Sequence, residues 1–166
     1  MDTLRLIMRE LDATTSRLHQ DGENQNGAWT TAILGNLTCL GRNQDPPYFV
    51  CCSTPDSDCG EWLYDLCWLV SSPWMKRPDW SMVQQVHLVV ECEWGQTVDE
   101  VTYDFQKLLL ARSRYKVMVY QDWAAPDHRE LEPFMRDCIA HWEEPPGSYL
   151  LARYLNAEGR FEHMIV

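Results

Sequence analysis

The stretch His87-Leu88-Val89-Val90-Glu91-Cys92-Glu93-Trp94-Gly95 reads as a buried strand that ends in two carboxylates. Residues two apart on a strand share a face, so Glu91 and Glu93 point together and Cys92 points away. By the same alternation His87 falls on the Glu91 face, as a base or as a core or edge histidine. Two acids at the end of an apolar run cost desolvation and repel each other unless a cation or a proton intervenes. Two readings stand: a site built around the acids, or a strand tip that leaves both of them in water.

On the carboxyl side, Thr97 to Ser113 is the clearest helix. Thr97 caps it, Glu100 completes a capping box, and Val101, Phe105, Leu108, Leu109 and Arg112 follow helical spacing. Tyr115 to Gln121 is the next strand, and a strand, a helix and a strand in succession predict a right-handed crossover and a parallel pair. Residues 127–143 form a helix with Leu131, Phe134, Met135, Cys138, Ile139 and Trp142 inward, stopped by Pro145-Pro146-Gly147. A hairpin follows, 148–155 and 160–166 around Asn156–Gly159.

On the amino side, residues 2–20 make an amphipathic helix with Leu4, Ile7, Met8, Leu11 and Leu18 inward. A second helix spans about 28–40 on Trp29, Ala32, Ile33, Leu37 and Leu40, with Gly41 as its stop, although its threonines also allow a strand. Tyr48 to Ser53 is a short strand and 53–60 a turn. Residues 61–70 read as a central strand with Asp65 in its middle, where an unpaired acid is rare. Residues 71–83 form a connection. The fold class is α/β (α+β), one mixed sheet with helices on both faces, in a single domain over 1–166.

Bulk properties narrow the function. The chain has 166 residues and a formal charge of −11, the wrong sign for a free-standing, high-affinity nucleic-acid binder. Contact with nucleic acid then needs a local basic patch, bound cations or a partner. No apolar run reaches the ~20 residues of a membrane helix, and Arg5, Arg9, Glu10 and Asp12 occupy the place of a signal sequence's apolar region. The seven cysteines are expected to be reduced, in a cytoplasmic protein. Cys51, Cys52 and Cys59 do not complete a zinc set, because adjacent strand cysteines face opposite ways and no second CxxC or His pair follows.

Within this layout Asp65 can meet Glu91 and Glu93 if their strands pair. Such a trio suits a hard divalent cation, Mg²⁺ or Mn²⁺, and a cation held there activates water and stabilises charge on a phosphate. Asp104 and Lys107 lie three apart on the following helix, either as an exposed ion pair or with Lys107 reaching the acids.

The succession helix, strand, strand with Asp65, strand with Glu91-x-Glu93, helix, strand resembles the PD-(D/E)XK, or restriction-endonuclease-like, nuclease superfamily over about residues 28–121. The resemblance implies a restriction-endonuclease-like core, Asp65 and Glu91 as metal carboxylates, and the Cys92 carbonyl as a further ligand. Glu93 stands where the family usually has its lysine, and Lys107 supplies the missing charge from the helix, unless two metals suffice. Pro78-Asp79 also spells the motif, so Asp79 is the other choice for the first ligand.

The implied activity is metal-dependent phosphodiester hydrolysis of nucleic acid, DNA favoured, with Asp65, Glu91, Glu93 and Lys107 as catalytic residues. A homodimer is the default assembly. Lys107, Arg112, Arg114 and Lys116, with Lys76 and Arg77, form the densest positive cluster, for phosphates or as a solvated helix end. Trp62, Trp68, Trp74, Trp80 and Trp94 stack on bases or pack the protein. Cys92, beside two acids, is expected to have a raised pKa and not to act as a nucleophile. The rival reading is a non-catalytic interaction or assembly protein that keeps the fold, an acidic partner of a basic protein. The charge of −11 and the missing lysine favour it.

Overall fold

In the computed structural model, which describes residues 2–23, 25–77, 80–123, 130–142 and 147–166, the quoted stretch ends the third strand of one six-stranded sheet. The elements run α1 (Thr3–Gln20), α2 (Asn26–Arg42), β1 (Phe49–Cys52), β2 (Leu66–Arg77), β3 (Trp80–Glu93), α3 (Val98–Leu110), β4 (Ser113–Asp122), α4 (Leu131–His141), β5 (Ser148–Leu155) and β6 (Arg160–Ile165). Strands lie side by side in chain order. β1, β2 and β3 are antiparallel, β3, β4 and β5 parallel, and β5 and β6 antiparallel. The sheet is mixed, and the βαβ unit from β3 to β4 makes the expected parallel pair.

Period-two alternation sorts the core into two layers. Leu88, Val90, Cys92 and Trp94 of the β3 region, with Val117, Val119, Leu150 and Ala152, pack under α1 (Leu4, Ile7, Leu11) and α2 (Trp29, Ile33, Leu37). Val89, Met118, Tyr120, Tyr149 and Leu151 face α3 (Val101, Phe105, Leu108) and α4 (Leu131, Met135). Helices therefore cover both faces. Among the described residues no helix is long and apolar enough to cross a membrane.

Local chemistry sets the element ends. The Thr97 hydroxyl accepts from Glu100 N–H while the Glu100 carboxylate accepts from Thr97 N–H, so the capping box forms. α3 ends before the expected Ser113 because Ala111 is extended, at φ −70° and ψ 129°, which leaves Arg112 outside the helix. α2 continues past Gly41, which is no stop. A Cβ there would lie 2.5 Å from Trp68 Nε1, so the missing side chain makes room for the indole. Gly159 has φ +64° in the β5–β6 turn, the left-handed conformation glycine favours.

Several expectations need correction. Residues 61–65 are not strand: Leu63 has φ 67°, incompatible with extended backbone, and β2 starts only at Leu66. Asp65 thus precedes the strand instead of interrupting it. The supposed connection 71–83 is largely strand, since β2 runs on to Arg77 and β3 begins at Trp80. Pro78-Asp79 lies outside the described residues, as do 127–129 and 143 of the last expected helix. On α4, Leu131 and Met135 are buried but Phe134 and Trp142 are exposed, because the helix presents only a narrow stripe to the core. The cysteines are not all reduced. The 53–60 turn brings Cys59 into a bridge beside Cys51, and the two form a disulfide with Cα atoms 4.8 Å apart.

Candidate functional site: an acid cluster at the end of β3

Alternation places Glu91 and Glu93 on the α3 face and Cys92 on the other, as the sequence indicated. Glu91 is fully buried; no part of its side chain reaches solvent. A lone carboxylate in that position is costly, and α3 supplies the compensation. Lys107 Nζ lies 2.7 Å from Glu91 Oε1 and 3.2 Å from Asp104 Oδ1, where its hydrogen bond is donated to Asp104. The contact with Glu91 is a close ion pair without hydrogen-bond alignment. Glu91 Oε2 has no hydrogen-bond partner among the described residues.

Asp65 joins this end of β3 from the start of β2. The antiparallel register sets Leu66 opposite Val90, and Asp65 Oδ2 accepts from Cys92 N–H at 2.8 Å. Glu93, half-buried, accepts from Gly95 N–H through Oε1. Asp65, Glu91, Glu93 and Lys107 are thus brought to one end of the sheet, with Asp104 completing the group.

The electrostatics follow from burial. Desolvation pushes Glu91 up to about 8, against the pull of Lys107 and with the neighbouring Asp65 and Asp104 adding to the rise. Asp65 is raised by burial, opposed by the Cys92 N–H and Lys107. Glu93 is raised by burial, opposed by Gly95 N–H and reinforced by Asp104. For Lys107 burial acts downward, but Glu91 and Asp104 together hold its pKa above the usual lysine value. We take Lys107 as the charged member: it is one-third exposed and has two acids beside it. Cys92, on the opposite face, is raised by burial and is no nucleophile at neutral pH.

Sequence reasoning missed two neighbours. Tyr64 and Cys67 flank Asp65 closely enough for Glu91 to raise both, after burial itself, and the Cys67 thiol reaches about 12. Cys67 is on the Glu91 face because β2 pairs it with Val89. That register carries no local sequence signal.

Other expected members lie elsewhere. His87 is a correction: an extra residue in β3 between the pairs Trp68–Leu88 and Leu69–Val86 forms a bulge that turns it to the α1–α2 face. There it stacks on Tyr48, with ring centroids 4.4 Å apart, and bonds the Tyr48 hydroxyl at 2.9 Å. Lys116 is buried, donates to Tyr149 Oη at 2.8 Å and is unavailable to a phosphate. Arg114 lies over the Tyr115 ring, and the side chains of Lys76, Arg77, Trp74 and Trp80 are outside the described residues. Trp68 and Trp94 are packed, their indole N–H groups donating to Leu37 O and Thr30 Oγ1. Trp62 is exposed.

Among the described residues no three His, Cys, Asp or Glu side chains group tightly enough to hold a metal ion by themselves. Glu91 Oε2 is a buried oxygen with no hydrogen-bond partner among them. No family model, curated protein or solved structure matches the chain.

Proposed function

We propose that the acid cluster is the centre of a metal-dependent phosphodiesterase acting on nucleic acid, DNA favoured. The observation that carries this reading is Glu91: a fully buried carboxylate with one unpartnered oxygen, beside the Lys107 ammonium and within the field of Asp65. Purely structural acids seldom carry that cost without full pairing. The order helix, strand, Asp65, strand with Glu91-x-Glu93, helix with Lys107 and strand also supports the PD-(D/E)XK-like reading.

Asp65 and Glu91 would hold Mg²⁺ or Mn²⁺, with the Cys92 carbonyl as a further ligand. A cation bound there would polarise the phosphate and make water a better nucleophile. Lys107 stabilises negative charge on the phosphate oxygens as it develops. The chain's charge of −11 makes such a cation a precondition for approach of a polyanion.

A second reading has a specific observation behind it. Lys107 already occupies the place beside Glu91, 2.7 Å from Oε1, and no three-ligand group is present among the described residues. A non-catalytic acidic partner of a basic protein is consistent with both.

One experiment separates the readings. Mn²⁺ and Mg²⁺ are titrated calorimetrically into wild type and Glu91→Gln, and both proteins are assayed on DNA and RNA oligonucleotides. Binding and cleavage lost in the variant support the hydrolase. Neither binding nor cleavage by wild type, with nucleic acid present, refutes it.

A further inference from the structure

A cavity of about 250 Å³ opens at the same end of the sheet but on the α1–α2 face. Glu93 and Trp94 are consecutive, so the chain that sends one to the acid cluster sends the other to this cavity. Trp94 follows β3, Gln121 is near the end of β4 and Tyr154 near that of β5, so the cavity sits at the carboxyl ends of three parallel strands. Ligands of open α/β sheets commonly bind in that position. The carboxyl end of α1 brings His19 and the first turn of α2 brings Trp29.

The walls are aromatic. Trp29, Trp94 and Tyr154 pack mutually with ring centroids 4.8 to 6.1 Å apart. Both indole N–H groups are engaged, Trp29 with Glu23 O and Trp94 with Thr30 Oγ1, so the rings offer the cavity apolar surface. The Tyr154 hydroxyl and His19 Nε2 bond each other at 2.8 Å.

Gln121 supplies the polar feature. It is more than nine-tenths buried, and its Oε1 has no hydrogen-bond partner among the described residues. Its orientation is fixed by a relay. Asn156 Nδ2 donates to Asp122 O at 2.6 Å, which turns Asn156 Oδ1 to Gln121, and Gln121 Nε2 donates to that oxygen. Flipping the Gln121 amide would set two carbonyl oxygens against each other. Oε1 is therefore left as a buried acceptor without a donor on a side chain that lines the cavity, and leaving such a group unpaired is unfavourable.

We propose that this cavity binds a single uncharged heterocycle carrying an N–H donor, of nucleobase type, with Gln121 Oε1 accepting from it. Aromatic walls suit a planar ring. The volume is below the roughly 300–1,000 Å³ of drug-sized sites and suits one ring system. No lysine or arginine lines the cavity among the described residues, and Glu23 does, which disfavours a phosphate and favours an amino-bearing ring. The inference does not rest on the hydrolytic reading.

The test follows the Trp29 and Trp94 indole N–H resonances by NMR while 9-methyladenine and 1-methylcytosine are titrated in. Saturable shifts are expected, and N6,N6,9-trimethyladenine, which keeps the ring but has no N–H, should bind about tenfold more weakly. Gln121→Leu should weaken 9-methyladenine by a similar factor. The methylated base probes the same bond in unaltered protein, so a folding defect in the variant cannot decide the outcome. A short oligonucleotide competes with 9-methyladenine if the base is presented by a strand and fails to compete if a free base is the ligand. No indole shift with either base, or equal binding of the methylated and unmethylated adenines, overturns the proposal.

Discussion

Replacing Glu91 by Gln should remove a large part of the protein's loss of stability with rising pH. An ordinary glutamate titrates at 4.5, and burial lifts Glu91 to about 8 in the folded chain. Between those values the folded state keeps a proton that the unfolded state has released, so stability falls by about 1.4 kcal/mol per pH unit. The stability associated with the neutral carboxyl is complete below 4.5 and is lost as pH rises through 8. By pH 7 the loss is about 3 kcal/mol, and it levels off at roughly 4 to 5 kcal/mol above pH 8.

Glutamine has the same shape and does not titrate. The variant loses the Lys107 partner, but Lys107 is one-third exposed and keeps Asp104, so that change is mainly a constant offset. Asp65 and Glu93 are present in both proteins and largely cancel in the difference. Guanidinium unfolding at pH 5, 6, 7 and 8 in EDTA, extrapolated linearly, gives the comparison. The difference should shift toward the variant by about 3 kcal/mol between pH 5 and 8. Parallel curves would mean that Glu91 titrates normally, and the assignment of a desolvated carboxyl would be wrong.

Three further outcomes follow from the packing and the cysteines. Gly41→Ala places a methyl against the buried Trp68 indole, at 2.5 Å from Nε1, and should cost about 1–3 kcal/mol, read as a lower unfolding midpoint. Thr97→Ala removes the capping box of α3 and should cost about 1 kcal/mol by the same measurement; an unchanged midpoint would show that tertiary contacts alone hold that helix end. Denatured, unreduced protein should take up five alkyl groups, the seven cysteines less the Cys51–Cys59 pair. Mass spectrometry showing seven would return both cysteines to the reduced state.

Elements with strong local chemistry were legible. α3 announces itself through Thr97, Glu100 and a regular apolar stripe, and its start agrees with the structure to the residue. The β5–β6 hairpin is written in Asn156–Gly159, because a tight turn needs a residue such as Gly159 at positive φ. What misled the reading was local composition without its context. Glu61 to Val70 has a strand's composition, yet Leu63 takes a left-handed conformation and the strand starts after Asp65. Gly41 looks like a helix stop, but its role depends on Trp68, which approaches from another element.

The acid cluster shows which part of a site a period-two pattern can carry. Alternation alone sets Glu91 with Glu93 and against Cys92, because it needs only the one residue between them. It fails at His87, where one inserted residue turns the side chain through the sheet. Bringing in Asp65 requires a register between strands, Leu66 against Val90, that the intervening sequence does not specify. Whether Glu91 is solvated or buried depends on α3 lying over the end of β3, which Val101, Phe105 and Leu108 achieve by packing on Val89 and Met118. The same packing carries Lys107 to the carboxylate. Burial and its counter-charge therefore arrive on one helix, so a change that loosens α3 alters the ionisation of Glu91 without touching any acid.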